Sequence, residues 1–110
     1  MDADNSKSVC EVVITAPSQD WLIEFARDLV NRRLCASAHS FASIRAIYRW
    51  RGEVYDKPEY RVALHTRHSL VGEIVRLTIE HHPYEVPSVS VLPIVDGNPD
   101  YLEWIVGETL

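Results

Sequence analysis

The chain has few of the patterns by which small proteins declare their chemistry. Its four glycines, Gly52, Gly72, Gly97 and Gly107, stand alone, so no glycine-rich loop is present to cradle a phosphate. There is no GxSxG elbow and no catalytic-cysteine signature, and the Ser, His and Asp residues are scattered, which argues against nucleophilic catalysis and against an enzyme. Two cysteines, Cys10 and Cys35, are too few and too far apart for a disulfide framework or a CxxC metal knuckle; they read as buried free thiols in a reducing compartment. No apolar run approaches the roughly 20 residues that span a bilayer. Eleven Lys and Arg against sixteen Asp and Glu leave a formal net charge of −5 and no long basic run, so neither nucleic acid nor a membrane is expected as a partner.

What is present fits one globular domain. The polar, acidic residues 1–8 lack the basic and apolar regions of a secretory signal, so they are expected to form a disordered leader to a single domain over residues 9–110 of a soluble, cytoplasmic protein. Val9 to Ala16 is rich in β-branched residues and reads as a central strand. Ser18 caps a helix from about Gln19 to Arg33 with an apolar stripe of Leu22, Phe25, Ala26, Leu29 and Val30. Leu34 to Trp50 reads as one long, bent strand. Arg51-Gly52-Glu53 supplies the reversal, and Val54 to Thr66 returns as its partner, with Pro58 marking an edge or a bulge. A second helix, capped by Ser69, buries Leu70, Ile74, Leu77 and either Val71 or Thr78. A buried or half-buried core strand over about Ser88 to Val95 and a short helix over Asp100 to Glu108 complete the chain. The order β-α-β-β-α-β predicts an α+β fold, a ferredoxin-like sandwich with a long hairpin and a short C-terminal helix.

The segment with the most chemistry is His81-His82-Pro83-Tyr84-Glu85-Val86-Pro87. Pro83 biases His82 out of the helical region, so the second helix should stop near His81, and Pro87 keeps Val86 extended ahead of the last strand. Polar groups are thereby held on a stiff loop, where either a site or plain structural punctuation would sit. Five histidines, His39, His65, His68, His81 and His82, bring metal into view, yet no HxH or HxxxH spacing places two on one face.

Several motifs together resemble the CutA family of divalent-cation tolerance proteins: Thr15-Ala16-Pro17, Leu34-Cys35-Ala36, Tyr48-Arg49-Trp50-Arg51-Gly52-Glu53-Val54, the HHPYEVP loop, and Pro99-Asp100-Tyr101-Leu102-Glu103-Trp104. The resemblance covers about residues 9 to 107. It implies a ferredoxin-like fold, a tight homotrimer built through the long hairpin, and a link to tolerance of copper and other divalent metals. Family members proposed to bind copper resemble one another in a cysteine, a histidine and a glutamate. Here those positions hold Ile14, His81 and Ser88; Ser37 matches a second family cysteine, and His65 stands where a lysine is common.

Two readings of function follow. In the first, the chain binds a divalent cation, Cu²⁺ before Zn²⁺, through His81 or His82, with no organic cofactor. In the second, it is a trimeric module resembling PII-type proteins, whose subunit clefts take a small molecule or a protein partner. The cleft is expected beside the HHPY loop, lined by Trp50, Glu59, His65, Tyr84 and Tyr101. A stable scaffold for a partner protein is the third possibility.

Overall fold

The computed structural model describes residues 8–110, and residues 1–7 of the expected leader lie outside them. Ser8 already belongs to the fold, since its carbonyl accepts the His68 N–H at 2.8 Å. The elements run β1 (Val9–Ala16), α1 (Gln19–Asn31), β2 (Ser37–Trp50), β3 (Glu53–Arg67), α2 (Val71–His81), β4 (Val89–Pro93) and α3 (Pro99–Glu108), with a 3₁₀ turn at His68–Leu70. The four strands form one antiparallel sheet in the order β2-β3-β1-β4. This is the ferredoxin-like arrangement predicted from the order of elements.

Alternation along β1 decides what each sheet face meets. Cys10, Val12, Ile14 and Ala16 join Val62 and Leu64 of β3, Leu22, Phe25, Ala26 and Leu29 of α1, and Ile74 and Leu77 of α2 in one apolar core. The intervening residues Glu11, Val13 and Thr15 pair with His65, Ala63 and Arg61 and face the other way. That second face meets α3, which lies against β1 and β3 and buries Ile105.

Two arginines tie down the end of α3. Arg33 takes a positive φ of 62° just past the end of α1, a backbone conformation unfavourable to a non-glycine residue. The turn is held by Leu34 N–H donating to Leu29 O at 2.9 Å and Arg33 N–H donating to Val30 O at 3.0 Å. The position also aims the Arg33 guanidinium at the last carbonyls of α3, donating to Gly107 O and Glu108 O at 3.1 Å each. Arg67 adds bonds to the hydroxyl and carbonyl of Thr109.

The hairpin turns on Arg51 (φ 51°) and Gly52 (φ 83°), two successive positive values that give the tight reversal a right-handed twist. A register irregularity between Phe41 and Ile44 supplies the expected bend in β2. Pro58 pairs with Arg45 just beyond Tyr60, where β1 ends, so its missing N–H falls on an open edge.

Three expectations need correction. β2 begins at Ser37, because Leu34 to Ala36 leave the helix turn and approach the sheet. Ser69 caps nothing: it sits inside the 3₁₀ turn, and α2 starts at Val71 without a side-chain cap. The apolar run after Pro87 is shorter than expected and lies at the sheet edge, paired only with β1, leaving Leu92 47% and Val95 91% exposed.

Both cysteines are buried and free. Burial pushes the Cys10 thiol up to about 11 and the Cys35 thiol up to about 12. A raised folded-state value means this contribution to stability is full below the unfolded thiol value of about 8.5 and is lost as pH climbs towards 11 to 12. At pH 8 neither thiol should react with an aromatic disulfide reagent in native protein, and both should react in urea; rapid labelling of the native chain would contradict the burial.

Candidate functional site

Helix α2 ends at His81 as Pro83 requires, and His82 adopts extended backbone (φ −69°, ψ 142°) as its cap. The two neighbouring imidazoles therefore part. His81 is exposed, with Glu80 as its nearby carboxylate at 3.9 Å. His82 is only 8% exposed. Its Nε2 donates to Thr15 O at 2.7 Å and its Nδ1 accepts the Tyr84 N–H at 2.9 Å, which fixes the tautomer. The edge of Trp21 closes over the ring at 5.1 Å between centroids. With both nitrogens engaged, His82 is a clamp between β1 and the loop.

The clamp delivers Tyr84 to the base of the hairpin. Its hydroxyl donates at 2.9 Å to Glu59, a carboxylate only 5% exposed. Beside them lies a cleft of about 350 Å³ lined by Tyr48, Trp50, Tyr55, Lys57, Tyr84, Glu85 and Val86. Tyr48 and Tyr55 face each other across the hairpin and stack at 5.4 Å, and Arg51 at the tip pairs with Glu85 of the loop. The Lys57 ammonium lies over the rings of Tyr84, Tyr55 and Tyr48 at 5.0, 5.6 and 5.8 Å. The Tyr84 and Tyr48 hydroxyls beside it hold the Lys57 ammonium well above the usual lysine range. Burial raises the Tyr84 phenol, Lys57 opposes that, and Glu59 reinforces it.

Of the residues expected in one cleft, Trp50, Glu59 and Tyr84 gather here. His65 and Tyr101 do not: His65 lies six residues further along β3, roughly 20 Å at strand rise. There its Nδ1 meets the Tyr101 hydroxyl and its Nε2 lies 3.0 Å from Glu11 Oε1. His39 on β2 packs edge-on at 5.5 Å. Among the described residues no three His, Cys, Asp or Glu side chains are arranged to hold a metal ion. The positions of the family's proposed copper ligands do not fit one either, because Ile14 is buried apolar core, Ser88 has only a hydroxyl and His81 has Glu80 alone beside it.

Lys57 was missed from sequence because a lysine near the end of a strand reads as a solvated charge. A signal existed: with the turn at Arg51-Gly52, Tyr48 and Tyr55 come opposite each other and Lys57 falls on the same hairpin face.

A model of the family described as CutA1 divalent ion tolerance protein matches residues 10–108. The chain belongs to the CutA1 family. It is 35% identical over 94 residues to the divalent-cation tolerance protein CutA of Thermus thermophilus, covering 86% of this chain and 91% of that protein. With the mouse protein CutA it shares 36% identity over 98 residues, 89% of this chain and 55% of the relative, so it spans about half the length of that protein. The solved Cut A1 structure from Thermus thermophilus superposes with a TM-score of 0.88 at 34% identity, over 92% of this chain and 98% of that one. The CutA1 structure from Oryza sativa gives 0.89 at 30% identity, over 94% of each chain. The family match confirms the resemblance carried by the hairpin and loop motifs.

His82→Ala would leave Thr15 O and the Tyr84 N–H without their partner and should lower stability by about 1–3 kcal/mol. His81→Ala should stay within about 0.5 kcal/mol of the parent. Urea denaturation of the two variants checks this; equal midpoints would show that the clamp carries no stability.

Proposed function

We propose that the protein serves a cell's response to divalent cations as a cytoplasmic homotrimer without catalytic chemistry of its own, and that it binds Cu²⁺, with Zn²⁺ next. The observation that carries the metal reading is the pairing of imidazole with carboxylate at two places, His81 with Glu80 and His65 with Glu11, on a chain of net charge −5. Neutral imidazole and carboxylate suit Cu²⁺ and Zn²⁺, and an acidic surface draws cations. Family membership supports the same reading, the matching description being that of a divalent ion tolerance protein.

Assembly is supported by apolar surface that one chain leaves open. Ile47 and Val54 on the hairpin are 63% and 61% exposed, and β4 offers an unpaired edge with Val91 and Leu92 on it. Sister subunits would cover that surface and close the sheet edges. No helix among the described residues is long and apolar enough to cross a membrane.

One observation favours a second reading, a trimeric module for a small ligand. The tyrosine-lined cleft falls in the size range of small-molecule sites and has one cation, Lys57, aimed into aromatic walls, which suits a planar carboxylate. A protein partner held on the same stable scaffold would use this surface too.

Sedimentation equilibrium at low micromolar concentration should give three times the chain mass, and a monomer mass would refute the assembly. Calorimetric titration of metal-free protein should show Cu²⁺ binding at pH 7 that weakens at pH 5.5, because protons compete with metal for imidazole and carboxylate. Absence of binding by Cu²⁺ and Zn²⁺, with uptake of a planar carboxylate lost in Lys57→Gln, would transfer the function to the second reading.

A further inference from the structure

Thr15 and Arg61 stand opposite each other on β1 and β3, on the sheet face turned away from α1 and α2. The same rung continues in both directions. Phe41 of β2 lies opposite Arg61, and Ser88, just ahead of β4, lies opposite Thr15, whose N–H its carbonyl accepts at 3.4 Å. Cross-strand neighbours hold their Cβ atoms about 4.5–5.5 Å apart, so an aromatic ring, a guanidinium and two hydroxyls stand in a row over four strands. Helix α3 meets this face further along β3, where Tyr101 reaches His65.

Arg61 is the unsettled group of the rung. Its Nε–H is buried and has no acceptor. Other arginines have theirs: Arg45 grips Asp56 with two bonds, Arg51 meets Glu85, and Arg33 and Arg67 donate to backbone carbonyls at the end of α3. Among the described residues no carboxylate lies within ion-pair distance of Arg61. Glu59, two residues back on the same face, accepts the Tyr84 hydroxyl instead. Phe41 stacks on the guanidinium, 5.3 Å from Cζ to the ring centroid, yet is 46% exposed. A ring face stabilises the cation but offers no lone pair to a charged N–H shut off from water, and leaving such a donor unpaired is costly.

We propose that Arg61, Thr15 and Ser88 bind the phosphoryl group of a phosphomonoester, with its organic part against the exposed rim of Phe41. This site is separate from the imidazole and carboxylate pairs of the metal reading and from the Lys57 cleft. The guanidinium presents Nε–H and one Nη–H side by side, a fork that takes two oxygens of one anion. That fork alone would suit a carboxylate equally. The hydroxyls decide for phosphate: among the described residues neither Thr15 nor Ser88 engages its hydroxyl in a hydrogen bond, and both lie to one side of Arg61 along the rung. A phosphoryl group has a third oxygen for them, which a carboxylate held through both oxygens lacks. Thr15 is fixed in place because its carbonyl accepts the His82 Nε2–H at 2.7 Å, so the clamp that sets the loop also sets one wall of this site. The Nε edge is covered in the free chain, so the anion enters as the guanidinium slides over the Phe41 ring, a side-chain movement that leaves the sheet unchanged. A net charge of −5 opposes an anion at long range, so affinity rests on these contacts and falls as they are removed.

The test titrates phenyl phosphate, inorganic phosphate and benzoate into the metal-free full chain by calorimetry. It is repeated with Arg61→Gln, Arg61→Lys, Thr15→Val, Phe41→Ala and, as a control for charge, Arg49→Gln, where the parent residue is exposed. Circular dichroism and oligomeric mass are checked first. Phenyl phosphate should bind the parent about threefold tighter than inorganic phosphate, a preference lost in Phe41→Ala. Weakening of about tenfold or more is expected in Arg61→Gln and in Arg61→Lys, which keeps the charge without the fork. Thr15→Val should weaken binding about threefold, and Arg49→Gln should match the parent. Parent-like binding in either Arg61 variant would overturn the site, and Arg61→Lys decides the matter if Arg61→Gln fails to fold. Benzoate or inorganic phosphate bound as tightly as phenyl phosphate would overturn the ligand class. Loss of binding in Lys57→Gln with none in Arg61→Lys would move the anion to the tyrosine cleft and overturn the site. No binding of phenyl phosphate by the parent would overturn the proposal outright, and a changed oligomeric mass in Arg61→Gln would then give the Nε–H an acceptor on a sister chain.

Discussion

The imidazole of His82 holds Thr15 O at the end of β1 with one nitrogen and the Tyr84 N–H with the other, under the edge of Trp21. Much of the geometry at that end of the molecule depends on this bridge. Pro83 forces the chain out of α2, but leaving a helix does not fix where the chain goes next. The bridge supplies the direction, setting Tyr84 over Glu59 and placing Glu85 within reach of Arg51 at the hairpin tip. One ring nitrogen that donates and one that accepts are therefore part of the architecture.

The same separation of duties divides the sheet. On the face covered by α1 and α2 the side chains are apolar almost without interruption, and the polar exceptions Thr66 and Thr78 donate to Leu34 O and Ile74 O. The opposite face alternates Val13 and Ala63 with Glu11, His65 and Arg61, a mixture that one short helix covers only in part. Arg33 and Arg67 matter here because they anchor the end of α3, and α3 carries Tyr101 to His65. The unfavourable backbone at Arg33 is offset by three hydrogen bonds between that residue and the chain end, counting Leu110 N–H to Arg33 O.

What could be read from the sequence was what neighbours in sequence decide. Pro83 stopped α2, Arg51-Gly52 turned the hairpin, Ser18 capped α1 by accepting the Trp21 N–H, and the helical stripe Leu22, Phe25, Ala26, Leu29 found the core. Periodicity does not say which side of a sheet is finished by the same chain. Val89 to Val95 has the composition of a core strand because its apolar side chains need cover, whether an intramolecular helix or a second chain provides it; here it lies at the edge. The candidate cleft was half legible for a related reason. Trp50, Glu59 and Tyr84 meet through the hairpin and the loop, both marked by turn residues, whereas six residues of the same strand hold His65 away from them, and the partners it finds instead, Glu11 and Tyr101, follow from the β1 to β3 register and the placing of α3, which no local motif encodes.

Lys57 and His65 show how one strand carries two different kinds of chemistry. They share a face of β3, eight residues apart in an unbroken alternation, yet Lys57 lies among tyrosine rings and His65 lies between a carboxylate and a phenol. Aromatic faces stabilise a cation already present and offer no lone pair to a metal, so a divalent ion gains little at the hairpin end. Imidazole and carboxylate offer lone pairs and little aromatic surface, so a planar organic ligand gains little at the other. The β1 strand accounts for the division: it pairs with β3 only from Tyr60 onward, bringing Glu11 to His65, while below that point the face of the hairpin is filled by its own Tyr48 and Tyr55 and by Tyr84 of the loop. Where β1 ends, the chemistry available to β3 changes.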